Sequence, residues 1–186
     1  MEKFRFELLF LYGHGINKKN ARGRIEVIMI MPKTKQLVSY IAKKYGHATI
    51  TSIMKLAYLI DLIAVEKHKA QISTFQYERY LFGPFDKEIY AYLSDLVNEK
   101  TLKEKPAFAP NGDEYIIYEF IDSAEGVRFD KLKGNEISLI DSVLNELQGL
   151  GAKSLSQIAY ATDPMKKLGA TMSNRKGLNK VLDLSA

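Results

Sequence analysis

The sequence of 186 residues is 46% hydrophobic and 26% charged, the proportions of a globular protein that buries a core of its own. It contains no cysteine, which excludes disulfides, thiolate metal ligands and a cysteine nucleophile. No apolar run reaches the roughly 18 residues of a membrane span, so we expect a cytoplasmic protein with no membrane contact.

The net charge of +5 is concentrated at one end of the chain. Residues 1–35 carry eight basic and three acidic side chains, whereas the rest of the chain carries nineteen of each. The charge distribution therefore predicts a basic leader over residues 1–35 and one domain over residues 36–186. The domain itself offers no bulk electrostatic argument for nucleic-acid binding.

The leader lacks the periodicity of a helix or a strand, and residues 13–15 and 17–23 are typical of loops. We hypothesise that translation begins at Met29 or Met31 and that the annotated start is wrong, because residues 26–28 can be encoded by a ribosome-binding sequence. The alternative is a flexible, disordered basic arm. The intact mass of the protein from its native host distinguishes the two.

Apolar residues at spacings of three and four predict a mainly helical domain. Thr51 or Ser52 is predicted to cap the longest helix, which extends to about Lys69 and whose wide apolar stripe indicates a central, buried position. The other predicted helices cover residues 36–45, 84–100, 135–149, 154–162 and 176–184.

Residues 74–82 are β-branched and aromatic and predict a strand, which Gly83-Pro84 ends. Pro84 then suits the first position of the helix at residues 84–100. The inner face of that helix is predicted to hold Ile89, Tyr90, Leu93, Leu96 and Val97.

Residues 102–108 and 114–121 predict an antiparallel β-hairpin whose turn is Pro-Asn-Gly-Asp at residues 110–113. The predicted fold class is therefore α+β and mainly α, a helical domain with a small antiparallel hairpin. Because the hairpin directly follows a helix, the domain is partly similar to a winged helix.

Residue patterns for catalysis are nearly absent. The histidines His14, His47 and His68 have no metal-ligand spacing, and no phosphate-binding loop or nucleophile elbow occurs. We therefore expect no metal, no cofactor and no enzyme activity. A hydrolase is a minor alternative, because carboxylates that meet only in space are invisible in a sequence.

Two segments are candidate binding sites. In the first, Lys55, Tyr58 and Asp61 lie on an otherwise apolar helix. Lys55 and Asp61 are about 120° apart on an ideal helix, so they do not share a face. Either both lie at the edge of the helix in solvent, or each is buried and anchors a group from elsewhere in the fold.

The second segment, residues 77–85, combines four aromatic residues with Arg79 at one corner of the chain. Tyrosine and arginine are common anchors at interfaces because they offer a large contact area and directed hydrogen bonds. Strand aromatics also pack into protein cores, so a purely structural role is the alternative.

The order of these motifs resembles the Panacea domain, an antitoxin SocA-like family that is also described as phage-associated. The similarity lies in Ile53-x-Lys55-Leu56-x-Tyr58-Leu59-x-Asp61 and in the segment Tyr80-Leu81-Phe82-Gly83-Pro84. A later region, Ser154-Leu155-Ser156 followed by Asp163-Pro164, is also similar. There Met165 replaces the usual tryptophan, and Thr162-Asp163 stands where Thr-His is common. The resemblance spans roughly residues 36–167.

The resemblance implies a protein-binding function without catalysis. Family members act as antitoxins that neutralise partner toxins, and some are adaptors that deliver a toxin to a protease. We therefore expect an antitoxin-like module that contacts a partner protein directly. The residues predicted to bind the partner are Lys55, Tyr58, Asp61, Tyr77, Arg79, Tyr80, Gly83, Pro84 and Phe85.

The alternative function is a DNA-binding transcriptional regulator, because a helix followed at once by a hairpin is typical of winged helices. A helix that reads a groove is usually basic. The helix at residues 84–100 instead carries Asp86, Glu88, Asp95 and Glu99 against Lys87 and Lys100. Nucleic acid is therefore the less favoured partner, with the leader as its source of positive charge.

Overall fold

A computed structural model describes residues 15–19, 25–29, 31–122 and 127–185. The helices are α1 (Lys33–Tyr45), α2 (Ile50–His68), α3 (Glu88–Asn98), α4 (Gly134–Glu146), α5 (Ala152–Tyr160) and α6 (Asp163–Lys167). The strands are β1 (Gly15–Lys19), β2 (Ile25–Met29), β3 (Glu78–Tyr80), β4 (Gly83–Phe85), β5 (Leu102–Phe108) and β6 (Glu114–Phe120). They pair as antiparallel hairpins β1–β2, β3–β4 and β5–β6. The predicted class, α+β and mainly α, is confirmed.

Helix α2 is the centre of the fold. It contacts α1, α4, α5 and β4, and its first half is buried on nearly all sides. Each buried leucine or isoleucine contributes roughly 1.5–3 kcal/mol of hydrophobic free energy, so the burial of this helix stabilises the fold substantially. Its N-cap is Thr49 and not the predicted Thr51 or Ser52, because the Thr49 hydroxyl accepts the Ser52 amide and the Ser52 hydroxyl accepts the Thr49 amide in a capping box. The central position predicted from the wide apolar stripe is confirmed.

The β5–β6 hairpin has the predicted position, with Leu102 opposite Phe120 and Phe108 opposite Glu114. The amide of Tyr118 donates a 2.8 Å hydrogen bond to the carbonyl of Ala48, which ties the hairpin to the loop before α2. The hairpin is thus fixed to the helical core at its β6 edge.

The β3–β4 hairpin corrects the prediction for residues 74–90. The chain reverses at Leu81-Phe82, so that Gly83-Pro84 lies in strand β4 and pairs with β3. Gly83 permits this because its φ is 100°, a conformation that other residues rarely adopt. Helix α3 does not begin at Pro84 but at Glu88, where an Asp86 carboxylate oxygen accepts the backbone amide at 2.9 Å.

Tyr90 is a second correction in this region. The sequence predicts that it faces inward from α3, but it is exposed, whereas Ile89, Leu93 and Leu96 are buried. The helix begins later than predicted and buries a narrower stripe. Tyr90 instead packs edge-on against Phe85, with 5.7 Å between the ring centroids.

The segment after α6 contains no helix at residues 176–184, so that prediction is wrong. Its backbone pairs with β3 instead: the amide of Arg79 donates to the carbonyl of Lys180, and the amide of Leu182 donates to the carbonyl of Tyr77, both at 2.8 Å. Gly177 and Asn179 have positive φ, which is incompatible with a continuous helix. The segment therefore extends the β3–β4 hairpin by a short third stretch of extended chain.

Two strands lie within the predicted leader, where residues 15–19 pair with residues 25–29. The loop predicted for residues 17–19 is therefore wrong, since these residues belong to β1. Helix α1 begins at Lys33, ahead of the predicted residue 36. The division of the chain at residue 35 and the start at Met29 or Met31 stay predictions. None of the helices described has both the length and the apolar character needed to cross a membrane.

Candidate partner-binding site

Asp61 is fully buried on α2 and organises the chain that enters the β3–β4 hairpin. One carboxylate oxygen accepts the amides of Ile72 and Ser73 at 2.8 and 3.0 Å. The other accepts the Tyr77 hydroxyl at 2.7 Å and the Ser73 hydroxyl. A buried carboxylate is tolerated when its lone pairs are satisfied in this way. Asp61 is therefore a structural anchor within the fold.

Lys55 lies two turns earlier on α2 and is only 2% exposed. Its ammonium donates a 2.7 Å hydrogen bond to the carbonyl of Pro84 in β4. Burial lowers the pKa of Lys55 from 10.5 to about 7. No carboxylate among the described residues pairs with it. The lysine holds the base of the hairpin against the central helix.

Arg79 is a second buried cation, 1% exposed. Its guanidinium donates to the carbonyls of Tyr80, Thr171 and Asn174, which fixes the C-terminal segment beside β3. The guanidinium carbon lies 5.4 Å from the centre of the Tyr160 ring. No carboxylate of the described residues pairs with Arg79 either, and its Nε has no acceptor there.

Tyr58 and Tyr77 complete the buried polar layer. The Tyr58 hydroxyl donates at 2.7 Å to Thr162, whose own hydroxyl donates to the carbonyl of Ala159. Burial raises the pKa of Tyr58 to about 12. Burial, and then the neighbouring Asp61 charge, raise the pKa of Tyr77 well above its ordinary value. Both phenols therefore stay protonated hydrogen-bond donors at neutral pH.

The sequence left open whether Lys55 and Asp61 lie in solvent or anchor other parts of the fold, and the second alternative is correct. Of the nine residues predicted to bind a partner, those in the interior are Lys55, Tyr58, Asp61, Tyr77, Arg79, Gly83 and Pro84. Their burial assigns them to the scaffold that positions the hairpin. Direct contact with a partner stays a prediction, and Tyr80 and Phe85 are the members with accessible side chains.

The hairpin carries apolar side chains into solvent. Phe82 at its tip is 71% exposed, and Leu81 and Tyr80 are each 42% exposed. Tyr80 packs on Phe85 with 5.3 Å between ring centroids, and Phe85 in turn contacts Tyr90. Exposed aromatic residues grouped on a rigid element are typical of protein-binding surfaces.

A cleft of about 310 Å³ lies beside the hairpin tip. Its lining comes from the start of α2, the hairpin turn, α5 and the segment after α6. The lining residues are Thr51, Leu81, Phe82, Ala152, Lys153, Ser156, Tyr160 and Met172. Lys153 is the one charged residue in this lining. We call this feature the hairpin cleft.

The sequence did not identify the residues of the hairpin cleft. The sequence predicts a strand for Leu81 and Phe82, whereas the structure places both in the turn of the hairpin. Lys153, Tyr160 and Met172 come from distant parts of the chain, and only the fold brings them together. The sequence signal that could have indicated a turn here is Gly83, a residue type that is common in tight turns.

No group of three or more His, Cys, Asp or Glu side chains with the geometry of a metal site occurs in the part of the chain that the structure describes. The buried polar groups above are joined by hydrogen bonds to backbone and hydroxyl groups. The accessible feature of this region is the apolar surface around Phe82.

Comparison with known proteins connects this region to a family. A family model described as "Antitoxin SocA-like, Panacea domain" matches residues 53–164. This range includes most of α2, the β3–β4 hairpin, the β5–β6 hairpin and α5. Searches of curated proteins and of solved structures returned no significant match. Because the family model covers more than half of the chain, the protein belongs to the antitoxin SocA-like, Panacea domain family.

Proposed function

We propose that the protein is an antitoxin-like module of the cytoplasm that neutralises a partner toxin by direct contact and without catalysis. Membership of the antitoxin SocA-like family supports an antitoxin role and a protein partner. A second mode within the same function is that of an adaptor, in which the bound toxin is passed on to a protease. Both modes require a surface that recognises the toxin.

The single observation that carries the choice of surface is the exposed aromatic tip of the β3–β4 hairpin. Phe82 is the most exposed large apolar side chain among the described residues, and it stands on a buried scaffold. The scaffold fixes the hairpin at three points through Asp61, Lys55 and Arg79. A rigid anchor loses little conformational entropy on binding, which favours affinity. The partner surface therefore includes Phe82 and its neighbours Tyr80, Leu81 and Phe85.

Steric occlusion is the mechanism that fits such a surface. A toxin held against the hairpin would have its own functional surface covered, and no bond would be made or broken. An interface of this kind depends on a few central anchors, usually aromatic or arginine, surrounded by contacts that exclude water. Phe82 is placed to be the central anchor.

A DNA-binding regulator is the second candidate, and the β5–β6 hairpin directly after α3 is the observation that favours it. The charges on α3 argue against DNA binding. The buried Lys35 of α1 forms ion pairs with Asp95 and Glu99 of α3, at 3.4 and 2.7 Å. Its positive charge is therefore neutralised within the fold and does not contact DNA phosphates. We therefore rank DNA binding second.

Co-expression tests the proposed function. Each neighbouring gene is expressed alone from an inducible vector, in a host strain that lacks the gene for this chain. One product is expected to arrest growth. Co-induction of this chain should restore growth, and the two proteins should elute together in one complex of defined stoichiometry. Restored growth without a complex would contradict direct contact, and failure of every neighbouring product to arrest growth would contradict the antitoxin role.

A salt titration tests the second candidate. Fluorescence anisotropy with a labelled DNA duplex is measured at low and at physiological salt, with and without residues 1–30. Binding that survives physiological salt and depends on duplex sequence would favour the regulator over the antitoxin. Binding that disappears with salt or with removal of residues 1–30 would show only nonspecific attraction to the basic leader.

A further inference from the structure

The hairpin cleft lies where two helices begin. Thr51 is in the first turn of α2, and Ala152 and Lys153 open α5. The amide groups of a first helical turn have no partner within the helix, and the helix dipole places partial positive charge there. The two helix starts therefore supply positive potential to the same cleft.

The two helix starts differ in how they are capped. Thr49 and Ser52 cap α2, whereas Gly151 precedes α5 and provides no side-chain cap. The free amides of the first turn of α5 are thus left for water or for a ligand. Lys153, which lines the cleft, is exposed and adds a full positive charge at the same place.

A buried cation lies behind one wall of the cleft. Tyr160, one of the lining residues, stacks near the buried guanidinium of Arg79 and touches the hairpin base that Lys55 supports. Arg79 is not paired with a carboxylate of the described residues, whereas burial lowers the pKa of Lys55 to about 7, so this lysine is only partly charged at neutral pH. An unpaired charge in a medium of low dielectric acts over several ångströms, so the Arg79 guanidinium adds to the potential in the cleft.

The C-terminal stretch of the chain, which supplies most of the residues that line the cleft, is net basic. Residues 150–186 carry six basic and two acidic side chains, whereas residues 36–149 carry thirteen basic and seventeen acidic ones. No acidic side chain lines the cleft in the described structure. The basic residues 1–35 do not complement such a site, so a separate acidic chain is its fitting occupant.

From these observations we infer that the hairpin cleft binds an acidic segment of the partner protein, with one bulky apolar side chain packed against Phe82 and an adjacent carboxylate at the start of α5. The inference rests on the proposed function and specifies the chemistry of the toxin segment that is recognised. The apolar side chain supplies buried area, and the carboxylate accepts the free amides of α5 beside Lys153.

Gly151→Asp is the sharpest test, because the new carboxylate would occupy the position assigned to the partner's carboxylate. Gly151 has extended backbone angles that suit a capping aspartate, and a Cβ at this position meets no atom within 4 Å. The substitution should raise the urea midpoint of unfolding while it weakens binding at least tenfold, about 1.4 kcal/mol. A loss of binding together with a gain in stability is not the result of a damaged fold.

The probes are two labelled 15-residue amphipathic peptides, one of Leu and Glu and one of Leu and Lys in the same pattern, titrated with the full chain by fluorescence anisotropy. Gly134→Asp is the matched control, since Gly134 opens α4 and also has open space around it. We expect the acidic peptide to bind with a Kd below about 1 mM, the basic one not to bind, and only Gly151→Asp to weaken binding.

Equal binding of both peptides, no binding of the acidic peptide, or equal effects of the two substitutions would each overturn the inference. Self-association of the chain that Phe82→Ser abolishes would assign the cleft to a second copy and would also overturn it. If Gly151→Asp leaves toxin binding and neutralisation intact, the inference fails while the proposed antitoxin function stands.

Discussion

The ammonium of Lys55 donates a 2.7 Å hydrogen bond to the carbonyl of Pro84, which lies 29 residues further along the chain. This bond connects the central helix to the strand that leads away from the exposed hairpin tip. The lysine is buried without a carboxylate partner in the described structure, so its positive charge is costly. The cost has a measurable dependence on pH.

Stability should rise with pH over the range in which Lys55 is neutral in the native state and charged in the unfolded state. The native pKa is about 7 and the ordinary value is 10.5. Between these values the unfolded chain binds one proton more, so the free energy of unfolding increases by up to about 1.4 kcal/mol per pH unit. Below this range the lysine is protonated in both states and gives no slope. Urea unfolding between about pH 8 and about pH 9.5 measures the effect, below the titration of ordinary tyrosines.

Lys55→Met should remove this slope, because methionine has a similar length and no charge. Lys67→Met is the control: Lys67 lies on the same helix and is exposed, so the slope should persist. A slope that Lys55→Met leaves unchanged would show that another group causes it.

Asp61→Asn should destabilise the protein by about 3 kcal/mol, because one acceptor oxygen becomes a donor among groups that already donate. Tyr77→Phe removes a single donor and should cost only about 1–2 kcal/mol. The double variant should be less destabilised than the sum of the two, since the phenylalanine ring has no hydroxyl to oppose the new side-chain amide. Additive free energies from urea unfolding would contradict the contact between the two side chains.

Arg79→Lys should release the C-terminal segment while the core stays folded. A lysine keeps the charge but not the fork that reaches the carbonyls of Thr171 and Asn174 together. We expect faster hydrogen exchange at the amide of Leu182 and faster tryptic cleavage at Lys176 and Lys180. The exposed Arg128→Lys is the control, and equal exchange in the two variants would remove the role assigned to Arg79.

Gly83→Ala and Gly112→Ala separate backbone strain from crowding. Both glycines have positive φ, 100° and 89°, so alanine costs about 1–2 kcal/mol at either position. A Cβ at Gly83 would also lie 3.3 Å from the Lys55 Cε and 3.4 Å from the Tyr160 ring, whereas one at Gly112 meets open space. Gly83→Ala should therefore be the more destabilising by about 1 kcal/mol or more in urea unfolding. Equal losses would contradict the close packing of the hairpin on α2.

The elements that follow from local pattern are those the sequence predicts well. The spacing of apolar residues predicts helix α2, and turn residues between two strand patterns predict the β5–β6 hairpin. Both elements occur close to the predicted positions. The β3–β4 hairpin does not, because Gly83-Pro84 is usually a breaker. Gly83-Pro84 is held in a strand by pairing with β3 and by the hydrogen bond that the Pro84 carbonyl accepts from Lys55, both contacts that no local pattern reveals. The C-terminal segment likewise depends on pairing with β3, a contact across about a hundred residues.

The candidate site likewise combines features that local sequence pattern predicts with features that depend on distant contacts. That Asp61 needs a partner follows from its position on an apolar helix, but no local pattern reveals that the partners are Ser73 and Tyr77. The hairpin cleft combines residues from the start of α2, the turn at Phe82, α5 and Met172. Such a surface exists only after the chain has folded, so residue patterns did not predict it.

The most direct test of the account is a calorimetric titration of the purified protein with the growth-arresting partner found by co-expression. Phe82→Ser is compared with Phe108→Ser, because Phe108 is similarly exposed, at 69% against 71%, and lies at the end of β5. Neither change should alter stability by more than about 0.5 kcal/mol. We expect Phe82→Ser to weaken binding at least tenfold, about 1.4 kcal/mol, and Phe108→Ser to leave it unchanged. No heat of binding for the unchanged chain, or an equal loss in both variants, would contradict direct recognition through the β3–β4 hairpin.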